Sequence, residues 1–281
     1  MAVGAREWPS DWRTKLRVRG QAMLAPLLAR RADVGGRRVH AFALGLPRSG
    51  THSLAGMFDA EFRAAHEPAL VDTIAHVMSW NRGERSRGQM RALLRWRDRR
   101  LGLELEAAHY LHHVAPLLVE EFPAARFVLT VRDPLSWLSS EINQNLRSAA
   151  YPFWQALERQ RYGRYAHAFP PAEQRLAEVG GLYPLASYLT YWREHVHGVL
   201  EAVPAERLLV LRTDELDDRL PELAEFCGVD LTLIDRSRVR AGVGHDPRLD
   251  LRESVDLDHV RSEITRCCGE LASRWFPEYL A

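Results

Sequence analysis

The chain has 281 residues, of which 46% are hydrophobic, so it is long and apolar enough to form a sizeable globular core. Its formal net charge of +1 gives no overall attraction to nucleic acid or to an anionic membrane, and no stretch approaches the ~20 apolar residues of a membrane span. Its three cysteines, Cys227, Cys267 and Cys268, have neither a disulfide pattern nor the spacing of metal ligands, which favours a reducing cytoplasm.

The first predicted element is a buried strand in residues 39–46, an apolar and partly β-branched run that ends in a turn. Apolar residues with helical spacing follow from Leu54 to Phe62. Between strand and helix, Gly45 and Gly50 have the G-x-x-x-x-G spacing of a phosphate-binding loop. Backbone N–H groups and the helix dipole would hold an anion there.

This loop departs from the pattern of nucleotide-hydrolysing enzymes. Thr51, His52 and Ser53 stand where those enzymes place Lys-Ser/Thr, so the lysine that reaches a γ-phosphate is missing. A metal-triphosphate site also requires an acidic residue at a strand end, whereas the strand predicted at 126–131 is followed by Arg132. The pattern favours a ligand that needs no metal and whose distant end carries a second anion. The sulfuryl donor 3′-phosphoadenosine 5′-phosphosulfate has that layout.

Further along the chain, apolar strands alternate with helical patterns. The helix after strand 126–131 opens with Asp133 as its cap and Pro134 at its first position. Strands separated by helices predict an α/β class, a three-layer fold with a central parallel sheet flanked by helices. The other predicted elements are strands at 101–108 and 207–212 and a helix at 184–203.

Two stretches do not belong to this alternation. Residues 82–100 are dense in arginine, and residues 148–183 carry many aromatic side chains between two turns that contain proline. Each is either a lid over a substrate or a helix packed on the surface, and the sequence favours neither interpretation.

Two motifs resemble those of the sulfotransferase superfamily. The segment LPRSGTHS, residues 46–53, is similar to its 5′-phosphosulfate loop, whose pattern is close to P-[KR]-S-G-T-x-[WS]. The segment VRDPLSWLSSE resembles its 3′-phosphate motif, in which a strand-end arginine precedes a helical serine by eight residues, here Arg132 and Ser140. The resemblance implies a P-loop-like fold and 3′-phosphoadenosine 5′-phosphosulfate as the donor.

The resemblance also implies roles for the matched residues. Arg48 corresponds to the loop cation that contacts the leaving phosphate oxygen. Arg132 and Ser140 correspond to ligands of the 3′-phosphate, and on chemical grounds an arginine offers a forked charged donor to such a group. The positions that bind the 5′-phosphate through backbone and hydroxyl groups correspond to Ser49, Gly50, Thr51, His52 and Ser53.

The sequence also departs from the superfamily pattern at two places. The glycine-rich C-terminal motif of the cytosolic enzymes has only a loose counterpart in residues 238–247, so the resemblance does not assign Arg240 and Gly242 as 3′-phosphate ligands. Thr213 stands where the superfamily often has a tyrosine after the last strand. The residues that contact adenine are therefore left unassigned.

Two residues compete for the role of general base. Glu67 follows a short predicted second strand and resembles the catalytic glutamate of carbohydrate sulfotransferases. His109 follows the next strand and resembles the histidine in K-T-H-x-P of cytosolic sulfotransferases. Without a catalytic role, Glu67 would be a helix N-terminal carboxylate ahead of Pro68 and His109 a packed histidine. We place Glu67 ahead, because burial alone can make a carboxylate a useful base, although histidine titrates near neutrality.

The sequence thus predicts a metal-independent, cytoplasmic sulfotransferase with a small-molecule or glycan acceptor. Transfer would be an in-line displacement to a hydroxyl or an amine. The alternatives are a phosphotransferase of the same fold and a non-catalytic nucleotide-binding module. We expect one domain over residues 1–281, with a core at about 39–230, an N-terminal extension at 1–38 and a helical C-terminal segment at 255–281.

Overall fold

A five-stranded parallel sheet lies at the centre of the computed structural model, with strand order β2-β3-β1-β4-β5. The structure describes residues 36–148, 152–165, 168–239 and 247–279. Strand β4 has the predicted bounds, whereas β1 and β3 are shorter than the apolar runs that contain them. The strands are β1 (Ala41–Ala43), β2 (Ala64–His66), β3 (Leu105–Ala107), β4 (Arg126–Val131) and β5 (Leu208–Arg212).

Helices connect these strands, as the alternating pattern predicts. A π-turn at Thr265–Gly269 joins two short helices near the end of the described chain. The helices are α1 (Thr51–Phe58), α2 (Leu70–Asn81), α3 (Arg87–Leu101), α4 (Ala115–Glu121), α5 (Pro134–Ser148), α6 (Pro152–Arg161), α7 (Gln174–Val179), α8 (Leu185–Ala202), α9 (Leu220–Cys227), α10 (Leu251–Ser254), α11 (Leu257–Ile264) and α12 (Glu270–Ala272).

Successive side chains of a strand point to opposite sides of the sheet, and helices cover both sides. In β4, Phe127 and Leu129 pack into one apolar cluster with α4, α5 and α8. Val128, between them, packs into a second cluster with α1 and α9. These two helical layers around one sheet confirm the predicted three-layer α/β fold.

Most of the arginine-dense stretch forms helix α3, which packs against α4. Several of its cations are paired, and Arg91 and Arg95 both form an ion pair with Glu121. Arg97 is buried and forms an ion pair with Glu106 of β3. Of the aromatic-rich stretch, Leu157 of α6 and Tyr162, directly after this helix, pack on the core. The predicted N-terminal extension lies almost wholly outside the described residues.

The parallel strands deliver their carboxyl ends to one edge of the sheet. From β1 the chain moves to β2 and β3 on one side, and later to β4 and β5 on the other. Such a reversal of direction opens a crevice at the carboxyl ends of the strands, where ligands of open α/β sheets bind. Among the described ranges, no helix combines the length and the apolar character needed to cross a membrane.

Candidate active site

The loop between β1 and α1 has two residues with positive φ, and only one of them is a glycine. Gly50 has φ of +95°, which glycine adopts freely, but Arg48 has φ of +63°, which is costly for a residue with a Cβ atom. At Gly45 a Cβ atom would lie 1.8 Å from Thr130 Oγ1, so any side chain there would displace the loop from β4. The G-x-x-x-x-G spacing is therefore a steric requirement of this turn.

Side chains from three other segments hold the carbonyl groups of this loop. Trp137 Nε1 donates to Pro47 O at 2.8 Å, and Arg132 donates to Arg48 O at 3.1 Å. Thr213 Oγ1 donates to Ser49 O at 2.8 Å, which gives this residue a fastening role in place of the tyrosine. Since the carbonyl oxygens are engaged by the protein, the loop is left with its N–H groups for a ligand.

The predicted phosphate-binding residues at the start of α1 are divided between the surface and the interior. Ser49 is fully buried, and its hydroxyl bonds Thr130 Oγ1 at 2.8 Å and Leu46 O at 2.7 Å, so it fastens the turn. Thr51 and Ser53 are buried, and His52 is exposed. Gly50, the N-cap of α1, supplies no side-chain cap. The first-turn amides of α1 therefore form an uncapped helix N-terminus, which attracts anions.

Beside this N-terminus lies a cationic cluster, which we define as Arg48, Arg132, Ser136 and Ser140. Arg48 Nε donates to Ser140 Oγ at 3.2 Å, and Arg132 Nε donates to Ser136 Oγ at 3.1 Å. Burial first, and then the nearby Arg48, lower the pKa of Arg132. No carboxylate in the described ranges forms an ion pair with either guanidinium. Asp133, the adjacent acid, instead accepts from Ser136 N at 2.7 Å and from the Tyr279 hydroxyl.

A cavity of about 600 Å³ opens over the cationic cluster. One wall is a polar stripe on α5, where helical spacing places Ser136, Ser140, Asn143 and Arg147 on one face. Asn143 fastens the opposite wall, because its Oδ1 accepts from Leu249 N at 3.0 Å and its Nδ2 donates to Leu249 O at 2.8 Å. The sequence identified Ser140 in this stripe but not its neighbours.

The two competing base candidates are in contact. Glu67 and His109 follow β2 and β3, which are neighbours in the sheet, and Glu67 N donates to Ala107 O at 2.9 Å. His109 Nδ1 lies 2.6 Å from Glu67 Oε1, with 4% of the histidine side chain and 14% of the glutamate side chain exposed. We call these two residues the Glu67–His109 pair. The sequence treats them as rivals, whereas the sheet order makes them partners.

The environment keeps Glu67 ionised and His109 neutral. Burial alone would raise the pKa of Glu67, but contact with His109, and then with His66 and Arg161, lowers it to about 2. Burial, and then the nearby Arg161 guanidinium, lower the pKa of His109 to about 4, although Glu67 acts in the opposite direction. At neutral pH the pair is therefore a carboxylate that accepts a hydrogen bond from a neutral imidazole.

The backbone at Glu67 is also unusual. Its φ is +49°, in the left-handed region, and Ala69 has φ of +50°. Arg97, from α3, donates to Pro68 O at 3.0 Å and so fastens the turn that follows β2. A strained non-glycine residue that the surrounding structure holds in place is typical of a functional site.

His66, which the sequence did not single out, connects this pair to the loop. Its Nε2 lies 3.2 Å from Thr51 Oγ1 at the start of α1 and 3.9 Å from Glu67 Oε1. The ring of the exposed His52 lies 5.0 Å from that of His66. The carboxylate of Glu67 is thus one side chain away from the helix N-terminus.

Other groups that complete the site come from distant parts of the chain. Arg161 donates to His109 Nε2, and Thr130 Oγ1 is hydrogen-bonded to the Ser49 hydroxyl of the loop. A polar residue within the apolar run RFVLTV marks Thr130, but no signal distinguishes Arg161 among many arginines. Arg240 and Gly242 lie outside the described residues. Within those residues, no group of three or more His, Cys, Asp or Glu is arranged to hold a metal ion.

A family model described as a sulfotransferase domain matches residues 40–235. Among solved structures, a sulfotransferase from Alicyclobacillus acidocaldarius is 17% identical with a TM-score of 0.47, covering 81% of this chain and 90% of that one. The sulfotransferase domain from the curacin biosynthetic pathway is 17% identical with a TM-score of 0.40, covering 83% and 97%. No match was found among curated protein sequences. The family match includes the loop, the cationic cluster and the Glu67–His109 pair.

Proposed function

The chain belongs to the sulfotransferase family, and on that premise we propose that it transfers a sulfuryl group from 3′-phosphoadenosine 5′-phosphosulfate to a hydroxyl or amine of its acceptor. Transfer is an in-line displacement, which needs positive charge at the leaving phosphate and a base at the acceptor. The cationic cluster supplies the first and Glu67 the second.

The observation that carries the choice of donor is the cationic cluster beside the uncapped N-terminus of α1. Two guanidiniums lie side by side with no ion-pair partner among the described carboxylates, and Ser140 adds a hydroxyl. A ligand with two separate anionic groups would neutralise both guanidiniums. The amides of residues 50–53 bind the 5′-phosphate, and Arg132 and Ser140 bind the 3′-phosphate.

Glu67 accepts the acceptor's proton during the displacement. A bond forms between the acceptor oxygen and sulfur while the bond from sulfur to the 5′-phosphate oxygen breaks. Adenosine 3′,5′-bisphosphate leaves with that electron pair, and Arg48 neutralises the charge that develops on its oxygen. The proton stays on Glu67 until solvent removes it, and the residues named here require no metal.

His109 is a positioning residue for Glu67 in this proposal. Its Nδ1 is occupied by Glu67 and its Nε2 by Arg161, which leaves neither nitrogen to accept a proton from the acceptor. Glu67 is the more exposed member of the pair, and in this proposal its exposed part meets the acceptor. In this proposal Glu67 rather than His109 is the general base, and it acts from a lowered pKa instead of the raised pKa that burial alone would give.

The acceptor is a small molecule or a glycan in this proposal. Residues 82–100 and 148–183, the two stretches considered as lids, do not narrow the acceptor's chemistry further. A cytoplasmic location is supported by Cys227, Cys267 and Cys268, which are all free thiols. We also propose that residues 1–281 form one domain around the single sheet.

Thermal-shift titration tests the choice of donor. We expect adenosine 3′,5′-bisphosphate to stabilise the protein in the presence of a chelator and adenosine 5′-monophosphate to stabilise it less, because only the first ligand has a 3′-phosphate. Stronger stabilisation by ATP with magnesium would replace this proposal with a phosphotransferase. Labelled donor incubated with a panel of phenols, sugars, lipids and amines then identifies the acceptor class.

A further inference from the structure

The last residue of α6, Arg161, lies behind the Glu67–His109 pair rather than beside the donor cavity. Its side chain is 4% exposed, and one terminal nitrogen donates to His109 Nε2. A guanidinium has donors and no acceptor. The contact therefore requires His109 Nε2 to be an unprotonated acceptor.

We propose that Arg161 is a positioning residue that fixes His109 as the Nδ1–H tautomer, so that the imidazole donates to Glu67 and aims the carboxylate at the acceptor. This inference rests on the proposed role of Glu67 as the base. The distance of 2.6 Å between His109 Nδ1 and Glu67 Oε1 fits a short hydrogen bond to a carboxylate.

Arg161 is itself held by a buried polar network. Its NH1 lies 4.0 Å from Glu141 Oε1 on α5, and the Tyr162 hydroxyl donates to the same oxygen at 2.7 Å. Its guanidinium also lies over the ring of Tyr191, 5.8 Å from the centroid. Glu141 and Glu67 balance its charge, so Arg161 needs no anionic ligand.

Stability alone does not account for this arginine. Within the described ranges, Arg161 Nε and Glu141 Oε2 are buried without a hydrogen-bond partner, and each such group costs free energy. Replacing a buried ion pair with apolar side chains of similar size is often neutral or stabilising. A requirement for a hydrogen-bond donor at His109 Nε2 explains why Arg161 occupies this buried position.

Loss of Arg161 would change both the tautomer and the charge of His109. Without the guanidinium, Nε2 can carry the proton, and the pKa of His109 moves up because a like charge has been removed. At a pH where His109 is protonated, the imidazolium beside Glu67 would stabilise the carboxylate and make it a weaker base. The groups that face His109 are His66 at the end of β2, Glu67 directly after it, Arg161 on α6, His195 on α8, and its neighbours Tyr110, His112 and His113. Glu141 on α5 faces Arg161.

The first test uses the wild-type protein and needs no acceptor. Two-bond ¹⁵N–¹H correlation spectra distinguish a protonated from an unprotonated imidazole nitrogen, and His109→Gln assigns the signal by its absence. We expect an unprotonated Nε2 and a protonated Nδ1 at pH 7. A proton on Nε2 would overturn the proposal regardless of any variant.

The second test compares Arg161→Met and Arg161→Lys with Arg159→Met, an exposed arginine on the same helix. In single-turnover reactions at saturating donor, we expect Arg161→Met to lose about 10- to 100-fold in rate, the range known for residues that orient a metal-binding histidine through its other nitrogen. As pH decreases, the rate of Arg161→Met should begin to fall at a higher pH than the wild-type rate does. Arg161→Lys should recover part of the rate, and Arg159→Met should match wild type.

These outcomes separate this inference from the proposed function. An unchanged rate and pH profile for folded Arg161→Met would overturn the role of Arg161 while leaving the donor and Glu67 untouched. A wild-type rate for Glu67→Gln would instead remove the base, and failure to bind adenosine 3′,5′-bisphosphate would remove the donor. If Arg161→Met does not fold, the tautomer and the Arg161→Lys profile decide.

Discussion

The cationic cluster and the Glu67–His109 pair lie at the same edge of the sheet, yet their electrostatics are opposite. In the cluster, Arg48 and Arg132 face a cavity of about 600 Å³, and no described carboxylate is paired with them. In the pair, a carboxylate, a neutral imidazole and the guanidinium behind it balance one another inside the protein. The first arrangement is completed by a ligand, and the second is complete without one. We therefore expect changes in the cluster to alter donor affinity and changes at the pair to alter rate.

The largest effect should come from Glu67→Gln, which keeps the shape of the side chain and removes its basicity. We expect the single-turnover rate to fall by about 10²- to 10⁴-fold, as for the loss of a general base. Calorimetric titration with adenosine 3′,5′-bisphosphate should give nearly wild-type affinity. Glu225→Gln, an exposed change on α9, is the control. Equal losses of rate and affinity would break the separation between pair and cluster.

Arg132→Ala should show the reverse pattern. Loss of a charge-assisted hydrogen bond costs about 1.5–3 kcal/mol, or about 10- to 100-fold in affinity. The loss should be larger for adenosine 3′,5′-bisphosphate than for adenosine 5′-monophosphate, and Ser140→Ala should follow with a smaller effect. Arg126→Ala changes an exposed arginine at the opposite end of β4 and is the matched control. Equal losses for both nucleotides in a titration would take Arg132 away from the 3′-phosphate.

Gly45→Ala tests whether the cluster depends on the shape of the loop. The new Cβ atom would meet Thr130 Oγ1, and such overpacking destabilises by about 1–3 kcal/mol. Chemical denaturation measures this loss, and binding of the bisphosphate should weaken with it. Thr130→Ala in the same chain should restore part of the stability, whereas Gly198→Ala, which faces open space, should not destabilise. Unchanged binding in Gly45→Ala would mean that the turn tolerates movement.

The smallest effect should come from Glu158→Gln. This substitution tests whether the buried polar network behind the Glu67–His109 pair extends to Glu158. Burial, and then the nearby Glu141, raise the pKa of Glu158 to about 7, against a hydrogen bond from Ser148. A raised folded-state pKa means that stability from this group is present below pH 4.5 and is lost as pH rises through 7. Glutamine keeps the bond from Ser148 and removes the ionisation.

For Glu158→Gln we therefore expect the melting temperature to rise by about 2–4 °C at pH 8, the shift that about 1 kcal/mol produces in a chain of this size. The change at pH 5 should be smaller. Glu178→Gln, an exposed substitution, should show no such pH dependence. The same increase at both pH values would mean that the gain does not come from the ionisation of Glu158.

The sequence predicted the cluster better than the pair because the cluster is built from local segments. Strand β4, the cap at Asp133 and the spacing of Arg132 and Ser140 all lie within one short run, where strand and helix periodicity fix geometry. The relation between Glu67 and His109 instead depends on β2 and β3 being neighbours, and no local pattern contains the order of strands. The sequence therefore presented two partners as competitors.

The contacts that hold the site in place were beyond prediction for the same reason. Thr213 reaches the loop across 164 positions of sequence, and Arg161 reaches His109 across 52. Each belongs to a residue type that is common on protein surfaces. The aromatic residues of residues 148–183 are what distinguish this stretch in the sequence, whereas Arg161 makes the contact with the Glu67–His109 pair.

The left-handed backbone of Arg48 has a consequence for protein engineering. With φ of +63°, this residue is held in a conformation that costs about 1–2 kcal/mol for a side chain with Cβ and nothing for glycine. Its guanidinium also adds repulsion beside Arg132. Arg48→Gly should relieve both burdens and raise thermal tolerance. A laboratory selection that rewards heat resistance alone should therefore drift toward glycine at this position and yield a hardier but inactive catalyst, so such a selection must include a screen for turnover.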